Sequence, residues 1–256
     1  MLKFILAAVL ASVSSYAAIV TEKVTYKEGN TELEGFIAYD DSIKTPKQAV
    51  VIIHDWMGPS EYTEMRAKQI AELGYVGFTA DIYGKDIRPK NGDEAAKVAG
   101  EFRNGDRKLL RARAKAAYDF ISKHKQVDKK KISAIGYCFG GTTVLEMARA
   151  GLPLKGAVSF HGGLSTQNPK EASKIKAKLL VLHGAVDPFV PAEEVQGFLK
   201  EMNEAKVDYQ FVIYSGAVHG FTQKGAGNDM SKGFAYNAVA DARSFEDMKD
   251  FLANIK

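Results

Sequence analysis

The chain has 256 residues, 46% of them hydrophobic, and carries 35 Lys and Arg against 31 Asp and Glu for a net charge of +4. So small an imbalance points to no nucleic acid or other polyanion as partner, and a single cysteine excludes any intrachain disulfide. The length and apolar content suffice for one large α/β domain with a sizeable core, expected over residues 18–256.

In chain order, residues 1–17 read as a secretory signal peptide: Lys3, then an apolar stretch over residues 4–13, then small residues around Ser15-Tyr16-Ala17, with cleavage expected after Ala17. That stretch is too short to span a bilayer, and no later segment approaches the roughly twenty apolar residues a span needs. The expectation is an exported protein, periplasmic or secreted, with no membrane attachment after cleavage. An unpaired thiol in an exported chain is flagged as reactive.

Residues 21–39 alternate through two runs separated by Glu28-Gly29-Asn30, which predicts an antiparallel hairpin. The rhythm then changes. Apolar, strand-like runs at 49–53, 76–79, 131–135, 157–160, 179–182 and 209–214 are mostly separated by amphipathic segments of helix length at 61–73, 93–102, 106–123, 141–149, 192–205 and 236–255. This alternation predicts a mostly parallel central sheet with helices on both faces. Residues 123–131 are lysine-rich with Asp128 as their one acid; they read as a solvated helix exit, with polyanion binding as the rival.

The chemistry centres on Gly136-Tyr137-Cys138-Phe139-Gly140, which holds the only cysteine. It is a G-x-S-x-G nucleophile elbow with sulfur in place of oxygen, preceded by a strand-like run and followed by a helix-like one. The new helix directs unpaired N–H groups at the sulfur and favours thiolate. A buried, inert cysteine is the bland alternative.

A thiol nucleophile needs a base, and the base an orienting acid. Asp187 follows the strand at 179–182, and His219 follows the strand at 209–214, giving the order nucleophile, acid, histidine of α/β-hydrolases. Asp187 can also merely start the turn at Pro188, and His219 can be a solvated loop residue. His54 and His183 end strands as pocket-shaping or packing residues, His161 lines the cleft or packs beside it, and His124 sits solvated among lysines. No spacing among these residues suggests a metal site. Residues 222–233, polar and with three glycines, follow His219 as a lid or a plain flexible loop.

With Asp55-Trp56-Met57-Gly58 after one strand, Asp81-Ile82-Tyr83-Gly84 after the next, the Gly-x-Cys-x-Gly elbow, and the Asp187 and His219 loops, the chain resembles the dienelactone hydrolase family over about residues 20–255. The resemblance implies an α/β-hydrolase fold and a cofactor-independent Cys138-His219-Asp187 triad acting on small esters or lactones. It also implies an oxyanion hole formed by the backbone N–H groups of Trp56 and Phe139. Asp55 stands where family members carry an acid, usually glutamate, that interacts with the resting thiol. It is one methylene shorter, and a carboxylate beside the sulfur would oppose thiolate formation. Lys85 and Gln223 stand where dienelactone hydrolase itself has two arginines for the substrate carboxylate. Bidentate recognition is lost at both, so neutral esters are expected to compete well with acidic ones.

The sequence therefore predicts a small-ester or lactone hydrolase working through an acyl-enzyme. The rivals are a binding or redox-sensing module that uses Cys138 without turnover and, more remotely, an acyltransferase or peptidase at the same site.

Overall fold

A computed structural model describes residues 18–255; the expected signal peptide at 1–17 lies outside them. Eight strands form one sheet: β1 Ile19–Glu28, β2 Thr31–Asp40, β3 Lys47–Ile53, β4 Val76–Ala80, β5 Val127–Tyr137, β6 Gly156–Phe160, β7 Lys178–Gly184 and β8 Tyr209–Tyr214. Their order is β1-β2-β4-β3-β5-β6-β7-β8. The β1–β2 hairpin and the β2–β4 pair are antiparallel, and every later pair is parallel. This is the predicted α/β-hydrolase architecture.

Both faces are covered, as the near-continuous apolar strands require. In β3 the side chains alternate: Ala49, Val51 and Ile53 enter one core, Val50 and Ile52 the other. The first core is closed by α2 (Gly92–Arg103), α3 (Lys108–Ile121), α4 (Phe139–Arg149) and α5 (Ala192–Glu204). The second is closed by α1 (Glu61–Glu72) and α6 (Ala238–Asn254). Among the described residues no helix is long and apolar enough to cross a membrane.

One boundary differs from expectation. The helix α3 ends at Ile121 and β5 begins at Val127, so the second half of the lysine run is strand. Val127 pairs with Lys47, and the register then shifts before Ala49 meets Ile132. Lys129, Lys130 and Lys131 stand exposed in that irregular stretch, which hides the strand's start from an apolar pattern.

Candidate active site

The elbow lies where β5 turns into α4. Cys138 has φ 55° and ψ −112°, a conformation that costs a non-glycine residue about 1–3 kcal/mol. Its neighbours impose it. A Cβ on Gly136 would strike the carbonyl of Gly140, and one on Gly140 would strike the Ile53 carbonyl of β3. Only glycine permits that approach, and the Cys138 N–H is fixed by the Phe160 carbonyl at 3.0 Å. The sulfur is thereby presented beyond the strand ends, with the N-terminus of α4 behind it.

Asp187 and His219 hang from the loops after β7 and β8 and are both buried. Asp187 Oδ2 accepts from His219 Nδ1 at 2.8 Å, while Asp187 Oδ1 accepts from the Phe189 backbone N–H at 2.9 Å. The backbone of His219 is held by Gly233 and Ala235, and its ring is edged by Phe189 and His161 with centroids 5.4 and 5.2 Å away. Burial opposes a charged ring, but the Cys138 charge and hydrogen bonds to Asp187 and Cys138 outweigh it and raise His219 to about 10. His219 is thus bonded to Asp187 and lines the same cleft as Cys138, so the fold brings the three expected residues to one place.

Trp56 lines the same opening, and Phe139, the residue after Cys138, begins α4. Among the described residues none accepts a hydrogen bond from the backbone N–H of either. The Trp56 loop is braced: Tyr83 Oη donates to the Trp56 carbonyl at 2.9 Å. His54 Nε2 accepts from the Ile82 N–H, so its Nδ1–H faces the Asp55 carbonyl at 2.6 Å. Burial holds His54 below the usual histidine range, consistent with that neutral tautomer. Asp81, fully buried, accepts from the N–H groups of Tyr83 and Gly84 and so shapes the second family motif from within.

Asp55 is turned to other partners. Its Oδ1 accepts from the Met57 N–H at 2.7 Å and its Oδ2 from Gln223 Nε2 at 2.6 Å. Gln223 lines an adjoining hollow with Tyr62, Arg66 and Thr222 rather than the opening above Cys138. Lys85 lies outside both, with Nζ 3.6 Å from Glu32. His161 is buried beneath the site with Nε2 2.9 Å from Thr222 Oγ1 and Nδ1 unpartnered; burial pushes it well below the usual range. His183 is likewise buried, packed against Phe211. Among the described residues no three His, Cys, Asp or Glu side chains cluster as a metal site.

The cleft over the sulfur encloses about 470 Å³. Besides Trp56, Cys138 and His219 it is lined by residues that sequence reasoning did not single out, chiefly Arg103, Thr142, Phe189, Val190 and Phe234. Phe189 and Val190 follow Asp187 directly, so proximity to the acid could have marked them. Arg103 carries no local mark, because a cation ending an amphipathic helix is ordinary.

A model of the dienelactone hydrolase family matches residues 33–256. The chain is 30% identical to Protein usf of Aquifex pyrophilus over 78% of its own length and 86% of that protein's. It is 26% identical to the carboxymethylenebutenolidase homolog of Mus musculus, over 69% and 71% of the two chains. Among solved structures, a dienelactone hydrolase-like promiscuous phosphotriesterase from metagenomic libraries superposes with a TM-score of 0.88 at 36% identity, covering 93% of this chain and 99% of that one. The elbow, the fold and these relationships agree: the chain belongs to the dienelactone hydrolase family, hydrolases that act on ester and lactone bonds.

Proposed function

We propose that the protein hydrolyses small carboxylic esters or lactones through an acyl-enzyme on Cys138, with His219 as acid and base and Asp187 as the group that orients it. The observation carrying this reading is the 2.8 Å Asp187–His219 contact at the cleft that both His219 and Cys138 line. With Nδ1 committed to Asp187, Nε2 is the nitrogen available to Cys138 and to the substrate.

The sulfur attacks the carbonyl carbon, and the Trp56 and Phe139 N–H groups receive the developing oxyanion. As the tetrahedral adduct collapses, the C–O bond breaks and His219 Nε2–H protonates the leaving alkoxide. The thioester is then attacked by water, which gives a proton back to Nε2. Collapse of the second adduct expels the thiolate and restores the ion pair. All atoms and charges balance without a cofactor. Residues 1–17 support export, so this thiol would work in an oxidising compartment.

The direct test is p-nitrophenyl acetate hydrolysis by purified Cys138→Ala. A fall of about 10³-fold or more is expected, since removing a nucleophile leaves only binding and oxyanion contributions. Parent-like turnover in that variant, with alkylation of the parent also harmless, would sink the mechanism.

A further inference from the structure

Of the eight arginines in the chain, six are ion-paired: Arg66, Arg88, Arg107, Arg111, Arg113 and Arg149 each reach an Asp or Glu. Arg103 and Arg243 form no ion pair among the described residues. Arg243 lies in a hollow beside β8, far along the sheet from the elbow. Arg103, the last residue of α2, lines the cleft over Cys138.

The rest of that lining sharpens the contrast. Trp56, Phe189, Val190 and Phe234 make its walls apolar, and no Asp or Glu lines it. Arg103 shares that lining with Trp56, whose carbonyl is held by the Tyr83 hydroxyl. A guanidinium beside apolar walls, with no carboxylate of its own, is matched to a planar anion brought by a ligand, which it can grip with two parallel N–H bonds. The two positions that match the arginines of dienelactone hydrolase itself are engaged elsewhere: Lys85 faces Glu32 and Gln223 holds Asp55.

We propose that Arg103 is a specificity-determining residue of the cleft, receiving a carboxylate carried by the ester or lactone substrate. This deepens the proposed function and reverses the expectation that, with bidentate recognition lost at 85 and 223, neutral esters compete well with acidic ones. It also explains why those positions need no arginine: the guanidinium approaches from α2 instead.

Two probes separate the anion site from the hydrolytic reading. Iodoacetate and iodoacetamide alkylate a cleft thiol at similar size and differ in charge. Their rate ratio on Cys138 should fall about tenfold in Arg103→Gln, fall less in Arg103→Lys, and stay at the parent value in Arg243→Gln. Hydrolysis should follow the same pattern: Arg103→Gln raises KM for mono-p-nitrophenyl glutarate about tenfold with kcat nearly kept, and leaves p-nitrophenyl butyrate unchanged. An unchanged alkylation ratio in Arg103→Gln overturns the proposal whatever hydrolysis does. Equal slowing of both reagents does so too, since the charge would then act on the sulfur alone. If the ratio falls while the parent hydrolyses no ester, the anion site stands and the hydrolytic reading fails.

Discussion

Two aspartates sit on either side of the elbow, and they begin alike. Asp187 and Asp55 both follow strands, and both use Oδ1 to accept from the backbone N–H two residues on, at 2.9 and 2.7 Å. Each therefore has Oδ2 free for a distant partner, and one loop after β8 supplies both: His219 for Asp187 at 2.8 Å and Gln223 for Asp55 at 2.6 Å. The difference is the partner's chemistry. An imidazole converts a carboxylate into part of a proton relay, whereas an amide only holds it in place. A carboxylate's place in the elbow's surroundings is thus decided by residues four apart in a third loop, not by its own turn.

The contrast is broken most forcefully by neutralising each acid. Asp187→Asn should lower kcat/KM for p-nitrophenyl acetate by about 10³–10⁴-fold, because the ring loses both its tautomer and its counter-charge. Asp55→Asn should cost less than about tenfold, since it removes a brace rather than a relay. Comparable losses in the two variants would abolish the distinction.

A second measurement reads the charge on His219. In the parent, ¹⁵N chemical shifts of His219 should report an imidazolium through neutral pH that titrates near 10. Burial alone would depress that value, and the Cys138 charge is the largest influence raising it, so Cys138→Ser should move the titration to lower pH. Because the folded value lies above the ordinary 6.5, the stabilisation from this charge is complete below about pH 6.5 and is lost as pH rises through about 10. A ring titrating at the same pH in both proteins would remove Cys138 from the account.

The smallest expected effect concerns Gln223. Removing its amide in Gln223→Ala frees Asp55 Oδ2, whose negative charge then opposes the thiolate, and iodoacetamide alkylation of Cys138 should slow about threefold. Adding Asp55→Asn should restore the rate; a double variant as slow as Gln223→Ala would show that the released carboxylate is not the cause.

Much of this was legible in the sequence because it rests on local pattern. Buried strands such as β3 and β7 are nearly pure apolar runs, and the elbow is a contiguous motif whose two glycines are forced by backbone contact. Cys138, Asp187 and His219 could be singled out because each follows its own strand. What escaped depends on encounters between distant segments. Gln223 and Asp55 are 168 residues apart, and neither residue type signals the other. Arg103 looks like any solvated helix end, and only the tertiary fold brings it to the cleft. The start of β5 was hidden because its exposed lysines pair irregularly with β3.

The helix behind Cys138 has one further consequence. All eleven residues of α4 are buried, including Glu146 and Arg149, and Arg149 is bonded to Glu146, to Glu201 of α5 and to the Leu164 carbonyl. An element enclosed in this way should open to solvent only when the whole sheet opens, so the hydrogen-bonded amide protons past its first turn should exchange near the global limit. The elbow should then have no early failure of its own on heating: the bend at Cys138 should survive as long as the fold does and disappear with it in one cooperative step.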